Sequence, residues 1–357
     1  MRTRKDRMTS AERLEALFKG QPVDRVPFVH KGYVFCAKMT GSPVADIYEN
    51  PQSSFDAQLR TFEMFDTDGT PFYTFSAYGS WEFGGAVRWP EDRMSSGPAV
   101  AKHPVEKPED VFKLELPDPR TAGAIPKMLE FARLQEKHNM PIAFICGDPF
   151  SHAANLAGVN NFMLWLIEAP EAAHHALRLM TDHILSVAKL FIDEFGKGRV
   201  IGRANATSDS NALISPRQFK EFSLPYEKEL HEKVIAMGVH SLYSHVCGNH
   251  NKNLPYWKEV PFNTPQNRGV ISIGHEVDLE IAAEAFPGCV IAGNIEPRIL
   301  AQGTPEEIYE DCRRVIEQGK RLKNGFIFMA GCEVPPNTPP YHVYLMRKAV
   351  EEFGWYN

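Results

Sequence analysis

Extended apolar runs recur eight times along the chain, at residues 26–34, 70–75, 141–146, 200–204, 240–245, 269–273, 289–292 and 325–330, with helical patterns between most of them. Strands that alternate with helices run parallel, because each crossover returns the chain to the same end of the sheet. Eight such units in 357 residues predict an α/β fold of the (β/α)8 TIM-barrel type, with 1–357 as a single domain. The same alternation allows an open, doubly wound sheet as the alternative.

Thr9-Ser10-Ala11-Glu12 has the form of a capping box, followed by Leu14, Leu17 and Phe18 at helical spacing and by Gly20. A short N-terminal helical extension therefore precedes the first strand. Further helices are expected at 161–167, 170–195, 216–237, 279–285, 305–323 and 340–353, several of them opening on a proline. Residues 81–119, rich in Gly, Pro and charge, show no period and read as an elaborated loop or hairpin over the barrel, suited to a lid or a docking surface.

A formal charge of -6 without a concentrated basic face argues against a nucleic-acid binder; the four basic groups in the first seven residues make only a short tail. No apolar run approaches the roughly 18 residues of a membrane span, and none follows the basic start as a signal peptide requires. A soluble, cytoplasmic protein is expected. Six cysteines, at 36, 146, 247, 289, 312 and 332, are too scattered for a disulfide scaffold. Cys36, Cys289 and Cys312 read as buried thiols.

His245 and Cys247 stand two apart at the end of the fifth run, so their side chains share a face, and Cys332 closes the last run. In a barrel all three fall at the C-terminal mouth, where catalytic groups gather. Together they make a Cys₂His set, one ligand short of tetrahedral zinc and so of the open, catalytic kind. A structural zinc would need four protein ligands, often from paired Cys-x-x-Cys knuckles that this chain lacks. A lone His-x-Cys without any metal is the third reading. His250, His275, Glu276 and Glu333 are candidates for a displaceable fourth ligand, and Glu276, after a strand end, is preferred. Asp148, Asp209 and Glu333 also follow strand ends and are candidate catalytic acids; such carboxylates can instead orient a ligating imidazole. His152 and Asn205 are further candidates for the mouth.

Several segments resemble the uroporphyrinogen decarboxylase superfamily and, within it, the zinc-dependent corrinoid methyltransferases. They are Pro22-Val23-Asp24-Arg25-Val26-Pro27, Ile214-Ser215-Pro216 with Phe222 and Pro225-Tyr226, His245-Val246-Cys247-Gly248-Asn249, Gly293-Asn294-Ile295-Glu296-Pro297, and Gly331-Cys332 with Pro335-Pro336-Asn337-Thr338-Pro339. The resemblance covers nearly the whole chain and implies a barrel whose zinc ligands are His245, Cys247 and Cys332. The decarboxylases continue from the Pro-Val-Asp-Arg start into an arginine-bearing segment that holds substrate carboxylates. Here His30-Lys31-Gly32-Tyr33-Val34-Phe35-Cys36 stands instead, so a tetrapyrrole with many carboxylates would lack bidentate partners.

The resemblance further implies methyl transfer to or from a corrinoid, a cobalamin-like group carried by a separate partner protein. Zinc serves both directions, by improving an ether oxygen as leaving group or by holding a thiol as its thiolate. Phe35, Tyr73, Phe75, Tyr78, Trp81, Phe83 and Trp89 cluster in the early loops, as an apolar pocket for an aromatic methyl ether or as ordinary core. Resemblance to bacterial O-demethylase components favours the ether as methyl donor; a methylcobamide:thiol methyltransferase is the alternative.

Overall fold

The computed structural model describes residues 5–91 and 97–356. The first part of the basic tail, residues 1–4, and residues 92–96 of the 81–119 segment lie outside the described residues.

Two short strands, β1 (Ala86–Arg88) and β2 (Ala99–Lys102), pair antiparallel as a hairpin within the 81–119 segment. Six others form one parallel sheet in chain order: β3 (Ile142–Ile145), β4 (Val200–Ala206), β5 (Ser241–Val246), β6 (Val270–Ile273), β7 (Val290–Ile295) and β8 (Phe326–Ala330). A doubly wound sheet reverses its strand order partway, and this one does not. Four of the six strands are buried along their whole length, which is why they read as unbroken apolar runs.

The first two extended runs close the ring without regular ladders. Phe28 bridges Phe328 of β8 in parallel, with Val29 N–H donating to the Phe328 carbonyl at 3.0 Å and Phe328 N–H to the Pro27 carbonyl at 2.9 Å. From Tyr33 the run becomes a helix, Tyr33–Thr40, whose first N–H is held by the Glu333 carboxylate at 2.7 Å. Five consecutive residues from Tyr33 to Ala37 are buried there, so no period separated helix from strand. The 70–75 run is extended but takes its bonds from two glutamines. Gln58 accepts from Phe72 N–H at 2.9 Å and donates to the Phe72 carbonyl at 3.1 Å. Gln135 accepts from Ala143 N–H at 3.0 Å and donates to the Pro71 carbonyl at 2.7 Å, bridging this run to β3. Replacing Gln135 with leucine leaves a buried donor and a buried acceptor unpaired, and an unpaired buried group costs about 1–3 kcal/mol. A loss of about 2–4 kcal/mol in urea unfolding is the expected outcome.

The helices pack outside the ring, the longest being Pro170–Phe195. At the N-terminal end of the barrel, helix Ser10–Phe18 starts with the capping box formed by Thr9 and Glu12 and sets Leu17 against Val270, Val290, Ala292, Ile327 and Met329. That plug closes one end, so the opposite mouth is the open one. Among the described residues no helix is long and apolar enough to cross a membrane.

Candidate metal centre

Strand β5 delivers His245 to the barrel interior and ends at Val246; Cys247 follows, and Gly248 then takes φ +79°, a turn that a side chain rarely adopts. Cys332 comes one residue after the Gly331 that follows β8. One ligand atom from each of His245, Cys247 and Cys332 lies within 4.8 Å of the other two, the one such group of His, Cys, Asp or Glu found among the described residues. The two sulfurs are 3.8 Å apart.

His245 is buried and its Nδ1 meets Ser272 Oγ at 3.0 Å, across the β5–β6 register that sets the two residues opposite one another. Its Nε2 is buried with no hydrogen-bond partner. An unpaired buried acceptor beside two thiols is what a soft-ligand metal site presents before its ion is added. Burial, helped by the positive charge of Lys31, lowers the His245 pKa and favours the neutral imidazole that metals require. The two cysteines share a proton: the hydrogen bond from Cys247 draws Cys332 well below the usual thiol range against the effect of burial, with His245 and Lys31 adding to it, and the same bond pushes Cys247 up. The donor set fits zinc. Ser272→Ala is expected to weaken metal binding by about 10–100-fold in competition with a chelator, because it frees the imidazole to turn.

The remaining candidates are placed differently. Glu276 is not in the group; its carboxylate lies 3.4 Å from His275 Nδ1 and lines a neighbouring polar cleft of about 320 Å³ with Asn294, Glu296 and Arg314. His250 is fully buried with Nδ1 accepting from Trp257 Nε1 at 3.1 Å. Glu333 adjoins the site, and burial raises its pKa against the charge of Lys31.

Asp148 caps the helix Pro149–Ala157, accepting from Phe150 N–H at 3.0 Å, Ser151 N–H at 3.1 Å and the Ser151 hydroxyl. Asp209 accepts from Ser223 Oγ at 2.7 Å and faces His250 Nε2 at 3.8 Å. Both are fully buried beside Glu227, whose pKa, like that of Asp209, is raised by burial and then by the charge of Asp148. His152 also is buried, its Nδ1 on the Tyr78 carbonyl at 3.1 Å, while Asn205 does reach the mouth, 3.5 Å from Lys31 Nζ.

The early aromatics pack into core. Phe35, Tyr73, Phe75 and Tyr78 are buried, and Trp81 and Trp89 lie 5.2 and 5.7 Å from Phe75 between ring centroids. Phe83 packs on His183 at 5.2 Å. Ser272 was missed because its partner is set by register between strands, which spacing along one chain does not show.

Methylcobamide:CoM methyltransferase MtbA of Methanosarcina acetivorans is 25% identical over 356 residues, covering 97% of this chain and 99% of that protein. A methylated-thiol–coenzyme M methyltransferase of Methanosarcina mazei is 27% identical over 275 residues, 74% of this chain and 66% of that one. The solved structure of a methyltransferase from Methanosarcina mazei superposes with a TM-score of 0.80 at 23% identity, over 97% of this chain and 99% of that chain, and so shares the fold. The family model for uroporphyrinogen decarboxylase (URO-D) matches residues 9–353, and the chain belongs to that family.

Proposed function

We propose that this methyltransferase moves a methyl group between the cobalt of a corrinoid, carried by a separate protein, and a thiol, with zinc held by His245, Cys247 and Cys332. The observation that carries the reading is the convergence of three soft donors at one barrel mouth with the His245 Nε2 buried and unpaired. Zinc bound there would lower the pKa of a thiol in its open position, making a thiolate available at neutral pH.

The residues of the chain prepare that position. Ser272 holds the plane of His245 by its contact with Nδ1, which leaves Nε2 for the metal. Lys31 places a positive charge near a ligand set that carries two thiolates when loaded, offsetting part of their negative charge. Glu333 ties the start of helix Tyr33–Thr40 to the loop of Cys332, so the Lys31 segment and the last ligand stay in register.

A thiol is favoured over an aromatic methyl ether on two grounds. The aromatic residues expected to form an ether pocket pack into core, and the relatives named above act on methylcobamide and coenzyme M or on methylated thiols. In a test with methylcobalamin, thiol-dependent loss of its absorbance supports the reading. Turnover confined to aromatic methyl ethers with cob(I)alamin would reverse the assignment.

A further inference from the structure

Behind the metal-ligand loop lies a buried acid group that the proposed chemistry does not use. Asp148, Asp209 and Glu227 are all buried, and among the described residues none of them pairs with a lysine or an arginine. Asp148 takes three donors at the start of helix Pro149–Ala157 and so stands as the carboxylate. By contrast, Asp209 Oδ1, Glu227 Oε1, His231 Nε2 and His250 Nε2 are buried with no hydrogen bond formed. Neighbouring carboxylates without a cation cannot all stay ionised, so a proton is held among them.

The ring nitrogens show where. His231 Nδ1 faces the Pro261 carbonyl at 3.0 Å, an acceptor only, so Nδ1 carries the ring proton and Nε2 is a bare lone pair. That lone pair meets Glu227 Oε2 at 3.4 Å, a contact that is repulsive unless a proton sits between the two. His250 is the reverse case: Trp257 Nε1 donates to its Nδ1 at 3.1 Å, which puts the ring proton on Nε2, 3.8 Å from Asp209 Oδ1. Glu227 is thus a donor and Asp209 an acceptor.

Asp209 is also tied to the metal-ligand loop. Its carbonyl accepts from Asn253 Nδ2 at 3.0 Å, while Asn211 N–H donates to the Asn249 carbonyl at 2.7 Å and Asn211 Nδ2 to Asn253 Oδ1 at 2.7 Å. The turn after β4 and the loop that starts at Cys247 are joined by these bonds. Ser223 Oγ donates to Asp209 Oδ2 from a single π turn, Phe219–Ser223, just ahead of the helix Leu224–Met237 that carries Glu227 and His231. Such turns are rare and recur at functional positions. Facing Glu227 are Asp148 and Cys146 from beyond the end of β3, Asp209 from the turn after β4, and His231 one turn along its own helix. From the packed helix Pro170–Phe195 come Arg178 and His174, engaged by Glu229 at 2.7 Å and by the Tyr226 hydroxyl at 2.9 Å.

We propose that Glu227 and His231 hold one proton between them at neutral pH, and that this proton keeps Asp209 in place as the positioning residue of the loop that carries Cys247. The inference rests on the metal reading above and adds a group that acts on the ligand loop from behind without touching the metal. Burial, and after it the charge of Asp148, raises the Glu227 pKa, so the proton leaves only as pH rises through that raised value. Its loss adds a negative charge beside Asp209 and pushes that residue and its loop out of place.

The test reads proton and metal separately. Infrared spectra of the purified zinc protein at neutral pH should contain the carbonyl stretch of protonated carboxyl, and Glu227→Gln should remove intensity from it. The glutamine amide keeps a donor for His231 Nε2 and cannot lose it. Zinc affinity of this variant, in competition with a chelator, is expected to match wild type at neutral pH and to exceed it by about tenfold at alkaline pH, the worth of one pKa unit of coupling. Asp209→Asn, whose amide oxygen still accepts from His250, should keep the neutral-pH affinity, and Asp209→Leu should lose about tenfold, the lower end for a partner beyond the ligands. Circular dichroism checks that both are folded; if Asp209→Leu is not, the Glu227→Gln comparison decides. A spectrum unchanged by Glu227→Gln, or the same pH course of zinc affinity in that variant and wild type, overturns the proposal and leaves the metal site standing. Wild type that binds no zinc removes the metal reading and the positioning role with it.

Discussion

Cys332→Ala is expected to yield a folded barrel that has lost its metal. The side chain follows the end of β8, is partly exposed, and meets Cys247 and His245 rather than the strand ladder, so its removal leaves the ladder and the core intact. The metal set, by contrast, falls from three protein donors to two. Since even a partner one bond outside a metal's ligands is worth about 10–100-fold in affinity or activity, loss of a ligand should cost on the order of 100-fold or more. Elemental analysis, circular dichroism and methyl transfer from methylcobalamin check the three parts of that outcome. Unfolding of the variant on loss of metal would assign the ion a structural role instead.

Asp68→Ala is expected to be the most damaging change far from the mouth. Asp68 is buried, pairs with Arg13 Nη1 at 2.5 Å and Arg25 Nη1 at 2.7 Å, and accepts Phe28 N–H at 2.8 Å. Its removal leaves two buried guanidinium groups short of charge and takes one of the two hydrogen bonds that join residue 68 to Phe28, the Asp68 N–H to Phe28 carbonyl bond remaining. Removing one partner from a buried pair costs about 3–5 kcal/mol, readable as a shift in the urea midpoint. The same network makes stability depend on acid. Burial pushes the Asp24 pKa up, but the hydrogen bond from Arg13 and those from the N–H groups of Arg7 and Met8 outweigh it and hold the carboxyl well below its ordinary 3.8. A depressed folded pKa stabilises fully above the unfolded value and is lost as pH falls through the folded one. The Asp24 contribution is therefore constant from pH 7 to about pH 5 and declines below about pH 4. Urea unfolding across that range should show the decline in wild type and a shallower one in Asp24→Asn.

Six of the barrel strands were visible as largely apolar runs, four of them because parallel strands buried on both faces have to be apolar throughout. The two that deviate do so for reasons that no periodicity carries: the 70–75 run is bonded by Gln58 and Gln135 side chains, and the 26–34 run turns into a helix at Tyr33. His245 and Cys247 were visible through their spacing of two at a strand end, and Cys332 through its place after the last run. Ser272 needed the register between strands, which sets it opposite His245. Asp148 shows the opposite limit, since a carboxylate after a strand is also an ideal start for the next helix, and here it caps one. The early aromatics gave no period by which pocket could be told from core, and packing decided for core.

The central claim is that His245, Cys247 and Cys332 hold one zinc with a position left for a thiol. Zinc-edge X-ray absorption of the purified protein, recorded without and with 2-mercaptoethanesulfonate, tests it most directly. The account predicts one zinc per chain with two sulfur scatterers, rising to three when the thiol is added. Protein purified without stoichiometric metal, or a sulfur count that stays at two in the presence of the thiol, would contradict it.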